Sequence, residues 1–163
     1  MEESEVTAIT FYRFDMEEAS AYIRKRFKAI VDANPWLAGR LVRNKQHKNV
    51  QLVHPQTPVS EDVIDQLFHS NLAQLQIGSE MKYEELCKAA KPAVLNKGRT
   101  MLNKPTLFTQ ITMVPDANHP DDGFALIFSL SHIVADGQTY YQVLNALSIT
   151  GTIERASASK AQP

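Results

Sequence analysis

An apolar strand that ends in a histidine constrains this chain more than any other feature. Phe124 to Leu130 carries no regular alternation of polar and apolar residues, so the segment reads as a strand covered on both faces. A strand of that kind needs partner strands beside it and helices packed on the sheet. The chain then runs into Ser131-His132-Ile133-Val134-Ala135-Asp136-Gly137, which delivers a histidine, an aspartate four residues on and a glycine into a turn. Imidazole is the side chain whose ordinary pKa lies near neutrality. A histidine held at a strand end can therefore act as a general base, an effect worth on the order of 10²–10⁴ in rate. Asp136 is too close along the chain to be a second, independent acid, but its carboxylate can fold back to fix the turn and the ring it carries. Gly137 would permit a backbone conformation closed to other residues. The same residues also read simply as strand, tight turn and helix start, because Asp and Gly are common turn residues.

The rest of the chain supplies the elements such a strand needs. Val6 to Phe14 is rich in β-branched and aromatic residues and reads as a strand. Asp15 then offers a helix N-cap, with Glu17 and Glu18 in the first turn. Ile23, Phe27, Ile30 and Val31 recur at helical spacing, and Pro35 ends the helix. Arg40–Arg43 and Val50–Val53, joined by the polar run 44–49, read as a hairpin. Ser60–Leu72 and Glu80–Ala90 read as helices, the first capped by Ser60, and Thr106–Val114 as a strand. Residues 115–123 are rich in oxygen ligands but lack calcium-loop spacing, and read as a solvated hairpin turn. Thr139–Leu147 reads as a helix turning Tyr140, Val143, Leu144 and Leu147 to the core. The expectation is one mixed-sheet α/β domain over residues 1–150, its sheet covered by helices, with 151–163 a disordered tail.

At 163 residues the chain is long enough to bury one core, and a net charge of −1 gives no reason to expect nucleic acid as a partner. No apolar run approaches the roughly 20 residues that span a bilayer, and the acidic start Met1-Glu2-Glu3-Ser4-Glu5 does not resemble a signal peptide. A soluble, cytoplasmic protein is expected. The single cysteine, Cys87, excludes an internal disulfide and reads as a packed thiol on a helix. His47, His54, His69 and His119 show no zinc-ligand spacing, so no metal site is expected; nor is there a nucleophile elbow or a phosphate-binding loop.

His132-Ile133-Val134-Ala135-Asp136-Gly137 resembles the HxxxDG signature of the chloramphenicol acetyltransferase-like superfamily, which includes BAHD acyltransferases and the condensation domains of peptide synthetases. A second segment supports it: Asn34-Pro35-Trp36-Leu37-Ala38-Gly39-Arg40 is similar to that superfamily's helix-to-strand junction and lies in the expected order. The resemblance implies an N-terminal lobe that moves an acyl group from acyl-coenzyme A, as co-substrate, to a hydroxyl or amine of a small acceptor. His132 would be the base. Asp136 would be structural, paired with an arginine, with Arg40 the first candidate and Arg43 and Arg13 its rivals. No permanently bound cofactor is implied. The superfamily's second motif, Asp-Phe-Gly-Trp-Gly or similar, is absent, since the only tryptophan is Trp36, and with it the second lobe. Oxyanion and coenzyme contacts cannot then be assigned, beyond a basic stretch, Lys91, Lys97, Arg99 and Lys104, able to meet phosphates. Three readings stay open: the first lobe of a longer enzyme, a site completed by other subunits, or a non-catalytic one-lobe remnant binding an acyl thioester or a protein partner.

Overall fold

The strand that carries the histidine is the middle of the molecule. The computed structural model describes residues 6–44, 46, 48–70, 72, 75–95 and 107–156. Strand β6 (His119–Leu130) pairs antiparallel with β1 (Val6–Arg13) on one side and with β5 (Thr109–Asp116) on the other. β5 in turn pairs parallel with β4 (Phe68–Ser70), giving a mixed sheet in the order β1-β6-β5-β4. β2 (Arg40–Arg43) and β3 (Val50–Val53) form the expected hairpin as a separate two-stranded sheet. Among the described residues, four α-helices complete the architecture: α1 (Met16–Ala33), α2 (Glu61–Leu67), α3 (Tyr83–Ala90) and α4 (Gly137–Ala146).

Strand alternation divides the core in two. Phe124, Leu126, Phe128 and Leu130 of β6, with Ile111 and Met113 of β5, face the larger cluster, where Ile23, Phe27, Ile30 and Val31 of α1, Ile64 and Leu67 of α2 and Tyr140 and Val143 of α4 pack on them. Ala125, Ile127 and Val114 point the other way, against Ile77, Ala90 and Ala93. Burial on both faces is why β6 lacks polar alternation. Each large side chain so enclosed contributes roughly 1.5–3 kcal/mol over an exposed one. α1 starts where the sequence expects, the Asp15 carboxylate accepting from the Glu18 N–H at 2.8 Å.

Several expectations change on folding. The helix read over Ser60–Leu72 stops at Leu67, and Phe68–Ser70 joins the sheet beside β5, where Phe68 is buried. Ser60 occupies the N-cap position of α2 without a side-chain capping bond. The 115–123 link is not simply solvated. Asp116 is 1 % exposed, and its carboxylate accepts from the Ser79 and Asn118 N–H groups, at 3.0 and 2.9 Å, which locks the turn. Burial alone would raise the Asp116 pKa, but these bonds, the Ser79 side chain and the charge of His119 together hold it below the ordinary carboxylate value. Cys87 lies on α3 but is exposed rather than packed.

The first part of the expected disordered tail is held in place. Asn34 at the end of α1 donates through Nδ2 to the Glu154 carbonyl at 3.0 Å and accepts from the Ala156 N–H at 2.6 Å, as a β-ladder partner would. Trp36 Nε1 reaches the Ala156 carbonyl at 3.1 Å, and Arg26 donates to the carbonyls of Ala146 and Gly151. Residues 157–163 lie outside the described part. No helix among the described residues is long and apolar enough to cross a membrane.

Candidate functional site

His132 sits two residues beyond the end of β6. The Ser131 N–H donates to the Phe108 carbonyl at 2.7 Å, so the β5–β6 pairing extends one residue past Leu130 before the chain turns. The turn closes with the Val134 N–H on the Ser131 carbonyl at 3.3 Å. Val134 and Ala135, almost fully buried, nail its far side to the core. The His132 side chain is half-buried, and its Nδ1 is enclosed without a hydrogen-bond partner among the described residues.

Asp136 begins α4. Its backbone is extended (φ −85°, ψ 177°) and its carboxylate accepts from the Thr139 N–H at 2.8 Å, while its carbonyl accepts from the Tyr140 N–H at 2.9 Å. The Thr139 N–H and hydroxyl hold the Asp136 carboxyl below the usual carboxylate range, against a small opposing effect of burial, and the nearby His132 imidazole acts in the same direction. The carboxylate thus fixes the start of the helix that follows the histidine turn.

Arg40 is not brought to Asp136. It lies exposed on β2, in the separate hairpin, and the ion pairs among the described residues do not join the two. The rival Arg13 pairs instead with Asp122 at 3.0 Å, and Arg43 shares the hairpin strand with Arg40. The Asp136 carboxylate is engaged by the first turn of its own helix. Gly137 also departs from expectation: no glycine among the described residues has a positive φ, and a Cβ on Gly137 would meet nothing within 4 Å. Neither backbone conformation nor packing among the described residues requires glycine there. Of the basic stretch, Lys91 is exposed at the start of a 3₁₀ turn, and Lys97, Arg99 and Lys104 lie outside the described residues.

Tyr140 was legible only as a core residue, yet it ties the site together. Its ring packs on Phe128 with centroids 5.1 Å apart, and its hydroxyl donates to the Phe128 carbonyl at 3.1 Å. Burial pushes its pKa up to about 12, so the phenol stays protonated as a donor. The signal available in sequence was the choice of tyrosine over phenylalanine at a buried helical position, since a buried phenol calls for a partner.

No protein-family model matches this chain, and no curated protein matches it in sequence. Solved structures do match in fold. The epimerization domain from the third module of tyrocidine synthetase B superposes with a TM-score of 0.58 at 11 % identity, over 89 % of this chain and 29 % of that one. The X-domain from teicoplanin biosynthesis gives 0.58 at 10 % identity, over 96 % and 31 %. The first condensation domain of the calcium-dependent antibiotic synthetase gives 0.54 at 14 % identity, over 89 % and 31 %. The likeness is one of fold: a mixed α/β architecture shared with part of these epimerization, X- and condensation domains. This chain spans less than a third of the length of these three neighbours.

Proposed function

We propose that this chain carries the base-bearing half of an acyl-transfer site that uses a thioester donor, with His132 as general base. The observation that supports it most is the placement of His132 at the exit of the central strand, in a turn braced by Asp136 and Tyr140, within a condensation-domain-like lobe. With Nδ1 enclosed, Nε2 is the ring nitrogen left to act. It would take the proton from a hydroxyl or amine as that group attacks the thioester carbonyl. The tetrahedral intermediate would then collapse to an ester or amide, and the thiolate would leave with the proton returned from the imidazolium. Asp136 is the positioning residue and Gly137 begins the helix beside it. The opposite wall, including the oxyanion donor, would come from a second lobe or from other subunits, because the neighbours are far longer than this chain.

Acyl-coenzyme A and a carrier-tethered acyl group present the same functional group to such a base, and the small acceptor completes the set. The test is release of free thiol from acyl-coenzyme A, and separately from an acyl-pantetheine thioester, with amine and alcohol acceptors. Transfer lost in His132→Ala, with an unchanged circular dichroism spectrum, is the expected result. Equal rates in the two proteins would remove His132 as the base. Thioester binding without turnover would favour the one-lobe remnant, which a protein partner would also fit. Light scattering adds a second discriminator: a stable trimer would supply the missing wall from neighbouring subunits.

A further inference from the structure

Residues 75–95 are joined to the rest of the fold chiefly at their two ends. Among the described residues, none of them belongs to the larger core cluster; Leu75, Ile77, Ala90 and Ala93 pack instead on Val114, Ala125 and Ile127, on the other face of the sheet. α3 buries only Ala90 fully, with Leu86 and Ala89 partly buried on the same side. Its eight residues fall well short of the roughly 12–15 at which an isolated helix becomes even marginal in water, so α3 keeps its form only while docked. The polar ties to the sheet are terminal. At one end the Asp116 carboxylate accepts from the Ser79 N–H at 3.0 Å, the Asn118 side-chain oxygen accepts from the Glu80 N–H at 3.1 Å, and the Ile77 carbonyl accepts from the Ala117 N–H at 2.8 Å. At the other end the Leu95 N–H donates to the Ser129 hydroxyl at 3.4 Å, and that oxygen lies 2.9 Å from the Thr7 hydroxyl of β1. Between these ends the backbone bonds run within the segment, Met81 to Gly78, Leu86 to Lys82 and Val94 to Lys91, and among the described residues no ion pair joins it to the sheet. Asp116 stands at the hairpin end of the β5–β6 pair and Ser129 three residues before His132. The segment therefore runs along the whole pair, fastened at both ends and held between them chiefly by alanines.

We propose that residues 75–95 are a strap that opens and closes as one unit over the second face of the central sheet, with Asp116 and Ser129 as its two fastenings. Opening uncovers Val114, Ala125 and Ile127, while β6 keeps its pairing to β1 and β5 and the larger cluster stays packed. Segments with few buried apolar contacts are the ones that open first, and they do so in contiguous cooperative units. The Asp116 carboxylate is 1 % exposed, and a charge stays enclosed only while donors reach it. Withdrawal of the Ser79 N–H on opening is offset by return of water to that carboxylate. Since the docked form of α3 links the two ends, weakening either fastening releases the other, which simple fraying would not do. The strap does not depend on the acyl-transfer reading.

Native-state hydrogen exchange of the full chain, read residue by residue over a series of sub-denaturing urea concentrations, tests this. In the wild type the Ser79, Leu86 and Val94 amides should share one opening equilibrium, reached at lower urea than that of the β6 and α1 amides. Ser129→Ala should speed exchange at the far end, at Ser79, by roughly three- to tenfold, the factor set by one net hydrogen bond, and leave α1 unchanged. Asp116→Ala should speed exchange at Val94 by at least as much, and Asn118→Ala, which removes only the bond to Glu80, is the gentler variant for the same end. A rise confined to the residues beside the substitution overturns the proposal. So do wild-type strap amides that exchange only together with β6, or that each open separately. If the variants do not fold, the wild type decides alone: one shared opening below that of β6 supports the strap, and any other pattern overturns it.

Discussion

The hydroxyl of Tyr140 donates to the carbonyl of Phe128 across the turn that holds His132 and Asp136, a 3.1 Å bond joining the first turn of α4 to the interior of β6. Strand, turn and helix are thereby one unit. Tyr140→Phe removes the donor while keeping the ring contact and should cost about 1 kcal/mol. Tyr140→Ala also opens a cavity and should cost about 3–5 kcal/mol. Urea unfolding checks both, and equal losses in the two variants would show that the hydroxyl, not the ring, carries the effect.

Asp136 gives a pH prediction with a definite sign. Its carboxyl is held lower in the folded chain, chiefly by Thr139, so its contribution to stability is fully present above the unfolded value near 3.8 and is lost as pH falls through the lower folded value. Asp136→Asn should therefore lower the melting temperature at neutral pH and have progressively less effect below about pH 4. Calorimetry at neutral and acid pH tests this. A deficit that stays constant on acidification would show that the carboxylate's charge is not what matters.

The Gly78 region makes a coupled prediction. A Cβ at residue 78 would run into the Asn118 amide oxygen, which accepts the Glu80 N–H at 3.1 Å. Gly78→Ala should destabilise modestly, by about the 1 kcal/mol of one displaced hydrogen bond, because the exposed Asn118 side chain must move off the Glu80 N–H. Combined with Asn118→Ala it should cost less than the sum of the two single changes, since the obstacle is then gone. Strict additivity in a double-mutant cycle would rule the clash out.

Asn34→Ala should release the segment that follows α4. Asn34 is 2 % exposed and bonds to residues 154 and 156, so its loss leaves backbone groups of that segment unpaired. Trypsin should then cleave after Arg155 several times faster than in the wild type. An unchanged cleavage rate would mean that Trp36 and Arg26 hold the segment without it.

Much of this fold could be read from periodicity. The apolar spacing of α1, the Asp15 cap, the 40–53 hairpin and the two-faced burial of β6 all follow from local residues and were all legible. What could not be read depended on partners far along the chain. Phe68–Ser70 follows a helical segment directly, and it becomes a strand because β5 offers a parallel edge. Residues 151–156 have the composition of a tail, yet Asn34 and Trp36, more than a hundred residues earlier, supply their hydrogen bonds. At the site, His132 and Asp136 stood out as chemistry-bearing residues, whereas the partner of the carboxylate did not. An arginine was expected; among the described residues Arg40 is not at the carboxylate, which accepts from the Thr139 N–H of its own helix.

Pairing on both sides gives β6 a kinetic meaning. β1 and β5 engage it from opposite edges, and helices lie over the face that carries Phe128. Amides of such a strand exchange with solvent only when the whole domain opens, whereas the small β2–β3 hairpin can open by itself. The turn that holds His132 therefore follows directly on the most protected strand. Fluctuations that loosen the periphery would leave the imidazole where it was, so a site built here would stay assembled through all but complete unfolding.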